Sequence, residues 1–202
     1  EIMNSSINTV MNNAKQAYKT AGLSANEYME NVTSFTASLL QSLDGNTQEA
    51  ASVADMALID MADNANKFGT DMSSIQHAYQ GFAKQNYTML DNLKLGYGGA
   101  KEEMGRLLMD AQKLTDVEYN INNLSDVYNA IHAIQENLGV TGTTAKEAES
   151  TITGSAASMK SAFDNFLNGS GSPEALASTI TVFVGNVTKA IVQLAPNILN
   201  GI

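Results

Sequence analysis

No cysteine occurs among the 202 residues, so neither a disulfide framework nor a thiolate metal site is open to this chain. Proline is scarce as well, with only Pro173 and Pro196, and aromatic residues make up just 6%. Together with abundant Ala, Leu, Met, Asn and Ser, this argues against a sandwich or barrel of many short strands. The predicted fold class is all-α, a multi-helix antiparallel bundle with glycine-rich corners, an elongated arrangement also being open. Positive charge is short too: 11 Lys and Arg against 21 Asp and Glu give a formal net charge of -10. A general nucleic-acid footprint needs cations to neutralise phosphates, so specific nucleic-acid binding is not expected. The deficit is uneven, because Glu27, Glu30, Asp44, Glu49, Asp55, Asp60 and Asp63 fall between Thr20 and Asn66 without one basic residue.

What is present is helical periodicity. Ile7, Val10, Met11, Ala14, Ala17 and Tyr18 recur at spacings of three and four, the mark of an amphipathic helix that Gly22 ends. Ser24 with Glu27 forms a capping-box pattern for a second helix carrying Tyr28, Val32, Phe35, Leu39 and Leu43 on one stripe. Asn46 with Glu49 starts a third, running to about Lys67, whose many alanines let a neighbour approach closely. Thr70 is predicted to cap a helix through Lys84, and Thr88 a short one through Leu95. Ala100 to Leu114 reads as a helix with Met104, Leu107, Leu108 and Ala111 inward. Asn120, Asn122 and Asn123 then break the pattern, so a new helix is predicted from about Asp126 to Asn137 rather than one long heptad helix. After the loop Gly139 to Thr143, Thr144 with Glu147 suggests another capping box. The helix it opens runs with polar faces through Ser155, Ser158 and Ser161 towards Phe163, Phe166 and Leu167. Asn168 to Ser172 (NGSGS) is the strongest linker signal, and Ser172 as cap with Pro173 at the first helical position begins the last helix. The domain reading is therefore a helical module over 1–168, a linker at 169–172, and a C-terminal helical segment over 173–202. The opening Glu1-Ile2 carries no initiator Met or leader, which reads as a segment of a longer protein.

The most particular stretch is Ile75 to Leu108. It gathers Tyr79, Phe82, Tyr87 and Tyr97 with Lys84, Lys94, Lys101 and Arg106, and clusters Gly96, Gly98 and Gly99 around Tyr97. The glycines lack P-loop spacing and a preceding apolar strand, so they read as a helix-turn-helix corner needing positive φ. Without a wider basic groove, the aromatics read as packing and cation-π partners. His77 and His132 stand apart with no ligand spacing, so no metal site and no cofactor are expected. The acidic run and Glu102-Glu103 read as a solvated helix face rather than a catalytic carboxylate pair. No serine sits in a nucleophile elbow or a supported S-x-x-K, and no enzymatic activity is expected. From Ile180 to Ile202 there are 23 residues with a single charge, Lys189, about the roughly 20 a membrane span requires. Ile180, Phe183, Val184, Val187, Ile191 and Leu194 make one face, for a core, a partner or a membrane.

The order of residues from Ala78 to Gly99, AYQGFAKQNYTMLDNLKLGYGG, strongly resembles the core region of tail tape measure proteins of siphophages and prophages of Gram-positive bacteria. Asp60 to Lys67 before it is similar to the same family, as are Gly142 to Ala148, Gly154-Ser155 and Met159 to Phe163 after it. Phe163 stands where the family pattern has tryptophan, which implies a buried aromatic there. The resemblance implies a mainly helical structural protein of the tail-tube lumen that sets tail length during assembly and leaves ahead of DNA. It also implies tail-tube and tail assembly chaperone proteins as partners, self-association, and contact with the host membrane through membrane-active segments. The places implied are the virion tail lumen, the bacterial cytoplasm during assembly, and the host membrane at infection.

Overall fold

The computed structural model describes residues 2–199, with side chains from 5 to 194. Among the described residues the chain is all-α: nine α-helices and one short 3-10 turn, with no strand. They are α1 (Ile2–Thr20), α2 (Ala25–Ser42), α3 (Thr47–Phe68), α4 (Met72–Phe82), the 3-10 turn Leu90–Leu93, α5 (Lys101–Thr115), α6 (Leu124–Asn137), α7 (Thr143–Ser150), α8 (Ile152–Leu167) and α9 (Pro173–Leu199).

Local chemistry sets many of these boundaries. At α2 the capping box closes: Glu27 accepts from the Ser24 amide at 2.8 Å, and the Glu27 amide donates to Ser24 Oγ at 3.4 Å. Such a cap satisfies amides that a helix start otherwise leaves unpaired. Asn123 caps α6 by accepting from the Asp126 amide, which places the start at Leu124, two residues before the predicted Asp126. Asp71, not Thr70, caps α4. That helix stops at Phe82 because the Lys84 and Asn86 amides both turn back to the Gly81 carbonyl. The predicted helix from Thr88 is only the 3-10 turn. The predicted helix from Thr144 through Leu167 is two helices, since Thr151 ends α7 and caps α8 by accepting from the Gly154 amide at 2.9 Å. Gly154 fits there because an added Cβ would lie 2.4 Å from the Glu147 carbonyl group, closer than atoms can approach.

α3 is the hub and packs against α1, α2, α4, α6 and α7. Its small buried residues Ala50, Ala51, Ala54, Ala57 and Ala62 let those helices come close. The principal core spreads from it through Tyr28, Phe35, Leu39, Ile75, Tyr79, Phe82, Met104, Leu107, Tyr128 and Ile131, all nearly inaccessible. The stripe of α1 is shifted from the predicted one: Ala14, Ala17 and Tyr18 are buried, while Ile7 and Met11 are exposed. α9 packs on α8, with a smaller contact to α7.

Candidate functional site

Three constellations remain once the ordinary core is set aside: the aromatic corner, a polar seam inside the bundle, and the surface of the α8–α9 hairpin.

In the corner, Tyr79, Phe82 and Tyr87 are buried and chained, with ring centroids 5.7 Å apart for Tyr79–Phe82 and 5.9 Å for Phe82–Tyr87. Tyr128 of α6 continues the chain, its ring 5.0 Å from Tyr79 and 5.8 Å from Phe35 in an edge-on contact. Its hydroxyl donates to the Tyr79 carbonyl at 2.9 Å, and Tyr87 donates to the Ile121 carbonyl at 2.9 Å. Tyr97 is half-buried, donates to Asp110 at 3.1 Å and lies under the Arg106 guanidinium, 4.3 Å from its ring centre. Arg106 also donates to the Gly96 carbonyl at 2.8 Å and pairs with Glu103 at 2.6 Å. That pairing holds the exposed Glu103 carboxyl at about 2, below its usual range. Two of the four basic residues are thus engaged with backbone, Arg106 as described and Lys94 on the Phe68 carbonyl. Of the three glycines only Gly96 has positive φ, at 89°. Gly99 is required for a different reason, since a Cβ there would sit 2.2 Å from the Thr88 carbonyl oxygen.

The polar seam corrects the reading of the acidic run as a solvated face. Asp60 and Asp63 of α3 are 1% and 0% exposed, and Asn64 beside them is buried too. Asp63 caps α7 from outside, accepting from the Gly142 amide at 2.5 Å and the Thr144 amide at 2.8 Å. The expected Thr144–Glu147 box is therefore absent, and α7 has no side-chain cap of its own. Asn64 donates to Gln135 of α6 at 2.7 Å and to the Leu93 carbonyl at 2.9 Å. His132 of α6 joins the seam, its Nδ1 lying 2.9 and 3.0 Å from the two Asp60 carboxylate oxygens. His77 is exposed. A signal for this seam was present in the sequence, because positions 50, 53, 57, 60 and 64 continue one three-and-four stripe that begins with Ala50, Val53 and Ala57.

On α8 the serines face inward. Ser155, Ser158 and Ser161 are buried, whereas Phe163 is 47% exposed and Phe166 and Leu167 lie outside as well. The expectation of a buried aromatic at Phe163 is thereby overturned: α8 meets its neighbours through small hydrogen-bonding side chains, which leaves its rings on the opposite side. Ser161 donates to the Gly22 carbonyl and Asn165 accepts from the Ala25 amide, tying α8 to the α1–α2 corner. Asn186 of α9 is buried and donates to the Glu149 and Thr151 carbonyls at 3.2 and 3.1 Å. Residues 168–172 form a tight turn in which the Ser170 and Gly171 amides both donate to the Asn165 carbonyl. Of the predicted apolar face, Ile180, Val184, Ile191 and Leu194 are exposed, and Phe183 and Val187 are half-buried. The helix is long and apolar enough over Pro173–Leu194 to cross a membrane, and Thr179 and Asn186 are its buried side chains among the described residues.

Among the described residues no group of three or more His, Asp or Glu side chains is placed to hold a metal ion. Compared with protein-family models, curated proteins and solved structures, the chain matches none of them.

Proposed function

We propose that this chain is a structural, non-catalytic module of a phage tail tape measure protein. The observation that carries the reading is the order of residues from Ala78 to Gly99. The structure supports a structural use of that stretch: Tyr79, Phe82 and Tyr87 fill the core, and Gly96 and Gly99 shape a turn that Arg106 clamps. A chain drawn out as one helix of 202 residues would reach roughly 300 Å, but glycine corners fold this one back, so its place is a packed module within the ruler. Its charge of -10 repels DNA that must pass the same tube. The partners proposed are tail-tube and tail assembly chaperone proteins and further copies of the chain, and the places are the tail lumen and the cytoplasm during assembly. In-frame deletions in the helical parts of the parent gene are expected to shorten tails in proportion to the residues removed, measured by electron microscopy. Unchanged tail length would overturn the ruler role.

A second reading is favoured by α9, whose exposed face and 22-residue apolar window match a bilayer core of about 30 Å. In it, the segment helps DNA cross the host membrane. Liposome leakage by the purified chain, abolished by Val184→Asp, is the expected result; no binding to liposomes would dismiss this reading.

A further inference from the structure

Asp60 is the most deeply placed carboxylate whose charge is not spread over backbone amides. Its neighbour Asp63 accepts two amide hydrogens at the start of α7. Among the described residues, Asp60 has His132 as the hydrogen-bond partner of both its oxygens. Burying an ionised carboxylate with no compensating charge is strongly unfavourable. The other groups acting on the pair make this worse. Asp63 comes from α3 itself and Glu136 from α6, both acidic, while from α4 comes only the neutral Tyr79 hydroxyl, buried and with no hydrogen-bond partner among the described residues. No Lys or Arg is among these groups, so among them only the imidazole can carry a positive charge.

His132 can supply it. With the Nδ1 proton held towards Asp60, uptake of a second proton at Nε2 makes an imidazolium and the pair becomes neutral. The imidazole side chain remains 31% exposed, so solvent can deliver and remove that proton. One turn along each helix the same two elements are joined again, by Asn64 to Gln135 at 2.7 Å and by Gln135 to the Asp60 carbonyl at 3.3 Å.

We propose that the α3–α6 seam is a proton-operated latch. One proton on the His132–Asp60 pair closes it, and loss of that proton leaves a buried negative charge beside Asp63 that loosens α6, together with α7, from α3. The proton affinities have the matching sign. The hydrogen bond to Asp60 raises His132 above its ordinary 6.5, and burial raises Asp60 above its ordinary 3.8. The folded chain therefore holds more protons than the unfolded chain. The histidine's share of the added stability is complete below the unfolded histidine value and is lost as pH rises through the higher folded value, while the share of Asp60 is complete below 3.8 and is lost as pH rises through its own raised value.

Urea unfolding of the whole chain at a series of pH values from about 6 to 9, a window set on the ordinary histidine value near 6.5, tests this in the wild type and in His132→Gln. One linked proton allows the unfolding constant to rise by at most about tenfold per pH unit. The wild type should show a rise that His132→Gln lacks, the comparison removing the general effect of net charge. In parallel, the imidazole resonance missing from His132→Gln should titrate above 6.5 in the wild type and move down in Asp60→Asn. Amide protection in α6 and α7, corrected for intrinsic exchange, should fall with pH in the wild type only. An equal pH slope in both chains, or titration of His132 at or below 6.5, would overturn the latch. If Asp60→Asn does not fold, the wild type and His132→Gln decide the matter alone.

Discussion

Where α4 and α6 meet α2, the rings of Phe35, Tyr79, Phe82 and Tyr128 point inward and meet one another in edge-on and tilted contacts. Where α8 meets α7 and α9, the inward positions are Ser155, Ser158, Thr179 and Asn186, and the rings of Phe163 and Phe166 are outside. The first region is held by apolar area and aromatic contact, the second by directional hydrogen bonds between closely approaching helices. Apolar burial is worth roughly 25 cal/mol per Å2 without regard to direction, whereas a hydrogen-bonded seam fixes the rotation of a helix about its axis. α9 shows the result: its polar stripe at Thr179 and Asn186 is docked, and Ile180, Val184, Ile191 and Leu194 are left exposed. Hydropathy thus measures how apolar a helix is, and packing decides which side faces in.

Deleting one ring from each region separates the two kinds of packing most directly. Phe82→Ala removes a side chain that is 2% exposed and is expected to cost about 3–5 kcal/mol in urea unfolding, as large core truncations do. Phe163→Ala removes one that is 47% exposed and should change stability by no more than about 0.5 kcal/mol. Equal losses would mean that the two regions do not differ in the way described.

The all-α class was legible because helix periodicity and caps are local: the Ser24–Glu27 box closes as its spacing implies, and Met104, Leu107, Leu108 and Ala111 all face inward. The aromatic corner was legible as a turn, though only Gly96 uses positive φ and Gly99 answers to the approach of Thr88. What escaped depends on partners distant in sequence. Asp63 caps a helix 79 residues away, and Asp60 pairs with a histidine 72 residues away. An acidic residue in a helix defaults to a solvated face unless its place on the apolar stripe is noticed. Phe163 misled for the converse reason, since the resemblance implied a buried aromatic there and nothing local shows that serines take the inward side.

Glycine substitutions sharpen the contrast within the corner. Gly99→Ala forces a methyl group onto the Thr88 carbonyl oxygen at 2.2 Å, and backbone cannot give way as a side chain does. Overpacking of this kind costs typically about 1–3 kcal/mol. An alanine at Gly98 meets only the flexible Glu103 Cγ at 3.4 Å, so thermal unfolding should separate the two variants clearly.

A milder loss tests the hairpin itself. Asn186→Ala removes the donor shared by the Glu149 and Thr151 carbonyls and Ser155 Oγ. Leaving a buried acceptor unpaired costs about 1–3 kcal/mol, but the Thr151 carbonyl keeps the Ser155 amide and hydroxyl as donors, and solvent can reach the other edge of the hairpin, because Glu149 is itself exposed. The expected loss is therefore near the lower bound of about 1 kcal/mol, and it should be local. Amide exchange in α9 should quicken while that of α4 and α6 stays as in the wild type. Exchange rising equally in all three helices would show instead that the hairpin and the aromatic core unfold as one unit, and that the two kinds of packing share a single cooperative transition.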